Sequence, residues 1–254
     1  MRPKKQLGQH FLKDEKIASA IVRAFLDLLK EQTVATVLEV GPGTGALTKY
    51  LVKNEQHPLR VIEIDREAVA LLSKSFPQLD IVQADFLDVK LEDIVSGKFA
   101  VIGNFPYNIS SQILFRVLEH RDRVPVVVGM FQKEVAERIA APPGSKTYGI
   151  LSVLMQAFYK VEFLLSVDEN AFTPPPKVKS AVISFVRNEV RQLQCDEKLF
   201  FKVVKTAFNQ RRKTLRNALS QMIPASADLP FMKQRAEQLS CADFEMLTLK
   251  IQDS

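Results

Sequence analysis

The run Gly41-Pro42-Gly43-Thr44-Gly45 constrains this chain more than any other stretch, because of what flanks it. Val37-Leu38-Glu39-Val40 ahead of it reads as a short buried strand, and Ala46 to Val52 behind it carries a helical pattern. Glycines between strand and helix let the main chain approach a ligand closely and leave helix N-terminal N–H groups facing it. A second strand is expected at Leu59 to Ile64. It delivers Glu63 and Asp65 about 20 positions beyond the glycines, where a strand-end acid can accept from ribose hydroxyls. The spacing is GxGxG, not the GxGxxG of dinucleotide-binding turns, and no Gly-Lys-Ser/Thr follows. A dinucleotide and a P-loop are both disfavoured.

Asn104-Phe105-Pro106-Tyr107 repeats the arrangement further along. Phe99 to Ile102 is a short apolar run, Gly103 breaks it, and Ile109 to Leu118 reads as a helix. An amide, a turn-forming proline and a phenol are thus expected at the carboxyl edge of a sheet, where open α/β folds bind ligands. The amide oxygen can accept from an amino group and the phenol offers a flat face, which together suit an exocyclic amine on a nucleobase. A third acid, Asp85, follows the short strand Asp80 to Val82. It can accept from the amino group of an adenine ring, with Phe86 nearby. Alone, it reads as a helix or turn cap.

The length of 254 residues suffices for one α/β domain with a small appendage. With 46% hydrophobic and 25% charged residues the chain reads as soluble and globular. A net charge of +6 favours a polyanionic partner. Cys195 and Cys241 are too far apart to suggest a zinc ribbon or a disulfide framework. His10, His57 and His120 are scattered and read as surface or structural histidines, so no metal is expected. The apolar stretch Ile17 to Leu29 is interrupted by Arg23 and Asp27 and falls short of a membrane span. The basic start lacks the apolar core of a signal peptide, and a cytoplasmic protein is expected.

Ile17, Ile21, Phe25 and Leu28 recur at helical spacing behind Asp14, a candidate cap. Strands and helices then alternate to about Arg138, the pattern of a parallel sheet covered by helices. Val124 to Met130 reads as a strand, Glu134 to Ala140 as a helix, Ala141 to Lys146 as a surface loop and Tyr148 to Phe158 as a helix. Lys160 to Val167 and Ser180 to Val186 read as a late strand pair. A composition shift over Asn188 to Gln194 suggests a boundary, giving domains 1–189 and 190–254. The second has helical spacing at Phe201, Val204 and Phe208, at Leu215, Leu219 and Met222, and at Phe244, Leu247 and Ile251. Two basic stretches stand out: Arg2, Lys4, Lys5 and Lys13 at the start, and Lys198 to Arg216, with seven Lys or Arg and no acid. With no acid near in sequence, Arg211-Arg212-Lys213 reads as a phosphate-contacting cluster.

These motifs carry a family resemblance. The chain resembles the class I S-adenosylmethionine-dependent methyltransferases, and among them the ribosomal RNA adenine N6,N6-dimethyltransferases. It is most similar to members that dimethylate adjacent adenosines near the 3′ end of small-subunit rRNA. The matching segments are Lys5 to Leu12 (KQLGQHFL), Leu38 to Thr48, Val61 to Asp65, Gln83 to Asp88, Gly103 to Ser111, Phe172 to Val178 with Ser180 to Val182, and Phe208 to Asn217. Phe105 stands where many relatives carry Leu. The resemblance implies a doubly wound Rossmann-like α/β sheet with a small helical C-terminal domain, and S-adenosylmethionine as cofactor. The implied partner is the small ribosomal subunit precursor, met by a monomer during ribosome assembly.

For the site it implies that the Asn104 side chain and the Phe105 carbonyl accept the two N6 hydrogens, with Pro106 shaping the turn and Asn104 also bordering the cofactor. Tyr107 stacks on one face of the base and Phe172 covers the other from its proline-rich loop. Glu63 holds the cofactor ribose, Asp85 its adenine amine, and Gly41 and Gly43 admit the methionine portion. Gln9 and Leu12 close over the cofactor, and Arg211, Arg212, Lys213 and Arg216 contact RNA. Alternatives are a large-subunit rRNA adenine methylase, a DNA adenine methylase, and an RNA-binding assembly factor whose methylation is secondary. The LGQHFL arm and the FNQRRKTLRN segment favour the small-subunit enzyme.

Overall fold

The computed structural model describes residues 3–224 and 227–253, so Arg2 of the basic arm lies outside the described residues. The strands are β1 (Phe11–Leu12), β2 (Thr36–Val40), β3 (Leu59–Glu63), β4 (Asp80–Gln83), β5 (Phe99–Asn104), β6 (Val126–Gln132), β7 (Tyr159–Val167), β8 (Phe172–Thr173) and β9 (Ser180–Arg187). The helices are α1 (Glu15–Leu29), α2 (Thr48–Leu51), α3 (Arg66–Ser75), α4 (Leu91–Ile94), α5 (Ser110–Glu119), α6 (Lys133–Ala140), α7 (Ile150–Gln156), α8 (Glu197–Asn209), α9 (Leu215–Ala218) and α10 (Cys241–Gln252). They fall into two compact units, 1–136 with 160–187, and 137–159 with 188–254.

The first unit is built on a seven-stranded sheet in the order β4-β3-β2-β5-β6-β9-β7. From β4 to β6 all pairs are parallel, while β9 runs antiparallel to β6, from Val126↔Val186 to Gln132↔Ser180. Parallel strands joined by helices are buried on both faces, hence the near-continuous apolar runs. Phe99, Ala100, Val101 and Ile102 of β5 are all buried, although successive side chains point to opposite faces. On one face Ala100, Ile102, Val126, Val128 and Met130 meet Ile21, Val22 and Phe25 of α1. Burying each of these side chains other than Ala100 stabilises the fold by roughly 1.5–3 kcal/mol. As expected, Asp14 caps α1, accepting from the N–H groups of Lys16 and Ile17 at 2.9 and 3.0 Å.

Two features of this unit differ from the sequence reading. The helix after the glycine turn is shorter than expected, confined to Thr48–Leu51. Gly43 and Gly45 sit at φ +54° and +84°, which prolongs the turn and delays the first helical residue. The N-terminal segment also forms a small antiparallel ribbon of its own, pairing Phe11↔Thr173 and Leu12↔Phe172.

In the second unit, Tyr148 packs edge-on against Phe208 at 6.1 Å and Phe208 against Phe244 at 5.9 Å. The Gly144 N–H donates to the Glu237 carbonyl at 2.7 Å. The segment Glu137–Tyr159, expected within the first domain, therefore groups with the C-terminal helices, because its aromatic anchor finds partners there. The chain passes into this unit again at Asn188, next to the expected boundary. Of the helical run expected around Leu215 to Met222, only Leu215–Ala218 is helix. Among the described residues, no helix is long and apolar enough to cross a membrane.

Candidate active site

Strand order reverses between β2 and β5, and the carboxyl ends of these strands open onto a cavity of about 260 Å³ in the first unit. Gly41, Gly43, Glu63, Asp85, Asn104, Phe105, Pro106, Tyr107, Gln9 and Leu12 all border it, so most of the sequence-predicted site residues meet at one place. Gly41 and Gly43 occupy the left-handed region, at φ +67° and +54°. A Cβ on Gly43 would stand 3.1 Å from the Phe11 ring, so the loop lies flat under the N-terminal segment.

Glu63 is only 6% exposed, and its two oxygens are oriented by main-chain donors. Oε2 accepts from Gly43 N–H at 3.0 Å and Oε1 from Asp65 N–H at 2.9 Å. Each oxygen keeps a second lone pair for another donor. Burial raises the Glu63 pKa against those two bonds. Asp65 has another task. It accepts from Lys4 Nζ at 2.6 Å and Gln9 Nε2 at 2.9 Å, while capping α3 through the Glu67 N–H. Burial pushes its carboxyl up, but these bonds outweigh it and hold the pKa below the usual value. Lys4 is thereby committed to Asp65 and Glu67, and the Gln9 amide to Asp65 and the Lys4 N–H. Asp85 caps its turn with Oδ1, 2.8 Å from Leu87 N–H, while Oδ2 has no partner among the described residues.

Asn104 ends β5, and its Nδ2 donates to the His10 carbonyl at 2.9 Å. A carbonyl can only accept, so this bond settles which end of the amide is nitrogen. Oδ1 is left without a partner among the described residues. The Tyr107 hydroxyl is hydrogen-bonded to Ser180 Oγ, and the His10 ring stacks on the Tyr107 ring at 5.5 Å and 23°. Burial raises the Tyr107 pKa. His10 Nδ1 lies 2.9 Å from the Pro174 carbonyl, which can only accept, so Nδ1 is the donor in this bond. His10 is thus a hydrogen-bonded structural histidine, one of the two readings its sequence allows, and what the sequence does not show is its contact with Tyr107.

Phe172 is not brought to the cavity. It is 1% exposed and packs in the cluster around α1, which corrects the expected position over a base. Pairing with Leu12 in the β1–β8 ribbon turns its side chain inward and leaves Thr173 outside. Glu39 was missed in the opposite sense. It borders the cavity at 1% exposure, accepts from Thr48 Oγ1 at 2.7 Å, and burial with the nearby Glu63 carboxylate pushes its pKa up to about 8. Its signal was a carboxylate inside an otherwise apolar strand.

The basic cluster of the second unit divides into held and free members. Arg211 donates to the Lys146 carbonyl at 2.5 Å and lies 3.8 Å from Glu237. It therefore does have an acid beside it, one distant in sequence. Arg216 donates to the Ala227 carbonyl at 3.1 Å. Arg212 and Lys213 are exposed, and their side chains have no partner among the described residues.

The reversed parallel sheet with one antiparallel strand, and a glycine turn at the reversal, define a Rossmann-like methyltransferase of class I. Residues 1–251 match the family model described as ribosomal RNA adenine dimethylase, and the chain belongs to that family of enzymes. Ribosomal RNA small subunit methyltransferase A of Cytophaga hutchinsonii is 56% identical over 252 residues, spanning 98% of this chain and 96% of that protein. A dimethyladenosine transferase from Plasmodium falciparum superposes with a TM-score of 0.79 at 26% identity, over 96% of this chain and 98% of the other. The 23S rRNA methyltransferase ErmE gives a TM-score of 0.69 at 24% identity, over 95% and 99%, a likeness of fold alone.

The Glu39 carboxyl sets a pH dependence. Its folded-state pKa of about 8 lies above the ordinary 4.5, so the fold favours the neutral form. That contribution is full below pH about 4.5 and is lost as pH rises towards 8. Glu39→Gln cannot ionise. Its thermal midpoint, measured against the parent from pH 5 to 8.5, is expected to gain on the parent as pH rises towards 8 and then level off, reflecting a stability difference of a few kcal/mol at most. Parallel curves would place the Glu39 carboxyl in water.

Proposed function

We propose that this chain transfers methyl groups from S-adenosylmethionine to N6 of two adjacent adenosines near the 3′ end of small-subunit (16S) rRNA. The product is N6,N6-dimethyladenosine, formed in the cytoplasm during ribosome assembly. The single observation that carries the reading is the Asn104 amide, locked by the His10 carbonyl with its oxygen unpartnered at the cavity. The full-length likeness to a small-subunit methyltransferase supports the choice of subunit.

The cavity residues fit the cofactor chemically. Glu63 has lone pairs for ribose hydroxyls, and Asp85 Oδ2 is free for an adenine amine. Ile64, 48% exposed although apolar, borders the same cavity and offers a face to an adenine ring. Buried Glu39 and Glu63 favour a ligand with positive charge. When bound, S-adenosylmethionine supplies an electrophilic methyl group on a sulfonium. The protein's task is then orientation, since in-line displacement depends on the approach of the attacking atom. Adenine N6 is a poor nucleophile because its lone pair is delocalised into the ring. Asn104 Oδ1 and the Phe105 carbonyl accept its two hydrogens and turn that lone pair towards the methyl group. Tyr107, held by Ser180 and backed by His10, gives the base one stacking face. Phosphate contacts in the second unit fall to Arg212 and Lys213, the two cations of the cluster without partners.

The deciding experiment is methyl incorporation into under-methylated small subunits, large subunits and DNA, compared side by side. Incorporation confined to small subunits is the expected result, and preference for large subunits or DNA would overturn the assignment. Within it, Asn104→Ala should slow single-turnover transfer by about 10²–10³ while cofactor and subunit binding persist. The first transfer should suffer more than the second, because only the unmodified amine engages both acceptors. Equal slowing of both steps would refute the two-acceptor account. Neutralising Arg212 and Lys213 together should flatten the slope of log K against log salt for subunit binding by about 1.4–1.8. An unchanged slope would make them a solvated face. Arg211→Ala should instead lower the unfolding temperature, since it removes the tie to the Lys146 carbonyl.

A further inference from the structure

Phe105 carries one of the two proposed N6 acceptors on its main chain, yet its ring is fully buried. Gly103 of β5 and Gly129 of β6 are register partners on adjacent strands. The Phe105 ring lies against both. A Cβ on Gly129 would stand 2.3 Å from Phe105 Cε2 and 2.8 Å from Cδ2. One on Gly103 would stand 2.6 Å from Cε1 and 2.8 Å from Cδ1. Neither glycine is among those with positive φ, so backbone conformation does not demand them. What demands Gly129 is the space of two aromatic rings, since its Cβ would also stand 2.7 Å from Phe131 Cε2, while a Cβ on Gly103 would in addition meet the Val40 carbonyl at 2.5 Å. Phe131 closes the slot edge-on, its ring 5.3 Å from that of Phe105 at 76°.

The ring and the carbonyl belong to one residue with little freedom between them. Pro106 restricts Phe105 to extended conformations and fixes its own φ. With the ring seated over two adjacent strands and the following residue a proline, the direction of the Phe105 carbonyl follows from the seat of its side chain. We propose that Gly129, which does not border the cavity, is a positioning residue for methyl transfer. It keeps open the slot that anchors Phe105 and so aims the Phe105 carbonyl at the N6 amine. The proposal rests on the reading that this carbonyl accepts an N6 hydrogen.

The test uses the full chain, S-adenosylmethionine and under-methylated small subunits, with single-turnover rates for each transfer and calorimetric cofactor affinity. Gly129→Ala overfills the slot and Phe105→Ala empties it. Both should slow the first transfer by roughly ten- to hundredfold, and more than the second, with cofactor affinity unchanged. Leucine has no ε carbon, so the contact at 2.3 Å disappears in the pair Phe105→Leu with Gly129→Ala, while the one with Phe131 Cε2 at 2.7 Å remains and is relieved by the room the smaller side chain leaves. That double variant should be faster than Gly129→Ala alone. A parental first-transfer rate in Gly129→Ala or Phe105→Ala would overturn the slot, as would equal slowing of both transfers or a double variant as slow as Gly129→Ala. If Gly129→Ala does not fold, Phe105→Ala decides by the same criteria. Failure of the underlying reading looks different: Asn104→Ala would then methylate as fast as the parent.

Discussion

Strand β2 takes a parallel neighbour on each side, β3 through Val37–Val40 and β5 through Thr36–Glu39. No helix can cross over the gap where the two connections part, so the carboxyl ends of β2 and β5 stay open. Everything chemical in the first unit uses this opening. The chain must leave β2 without blocking it, hence glycines at positive φ. It must leave β5 with polar groups turned inward, hence Asn104 followed by a proline that stops the strand. Glu63, at the end of the strand beside β2, reaches across to the Gly43 N–H and ties the two strand ends together.

The N-terminal segment completes the site from outside the sheet. Lys4 and Gln9 converge on Asp65, the His10 carbonyl takes the Asn104 amide, Phe11 covers Gly43, and Leu12 pairs with Phe172. One short stretch thus touches both the side of the cavity near Glu63 and Asp65 and the side near Asn104 and Tyr107. Most of its polar bonds go to groups that would otherwise be unpartnered, which favours a fixed path for the segment.

What could be read from the sequence was what the chain builds locally. Glycine turn, strand-end acid and strand-end amide each follow a strand directly, so their place at the carboxyl edge needs only the parallel sheet. What could not be read came from contacts between distant residues. His10 meets Asn104 across 94 positions and Pro174 across 164, and Tyr107 meets Ser180 across 73. Phe172 shows the cost of local reasoning. Its proline-rich sequence predicts a loop, while a pairing with Leu12 decides which way the ring points. Arg211 is similar: the acid beside it, Glu237, is near only after the second unit has folded.

The charge at the cavity also runs against that of the whole chain. The protein carries a net +6, yet the cavity floor has Glu39 and Glu63 buried, each with its pKa raised by burial and Glu39 raised further by its neighbour. Two carboxyls in such a place oppose each other's ionisation and weaken the fold as pH rises. A ligand with positive charge relieves both effects, so the stability sacrificed in its absence returns as binding free energy. A polyanion gains nothing there. The floor of the cavity thus favours a cationic ligand, while the net charge of the chain favours a polyanion elsewhere on its surface.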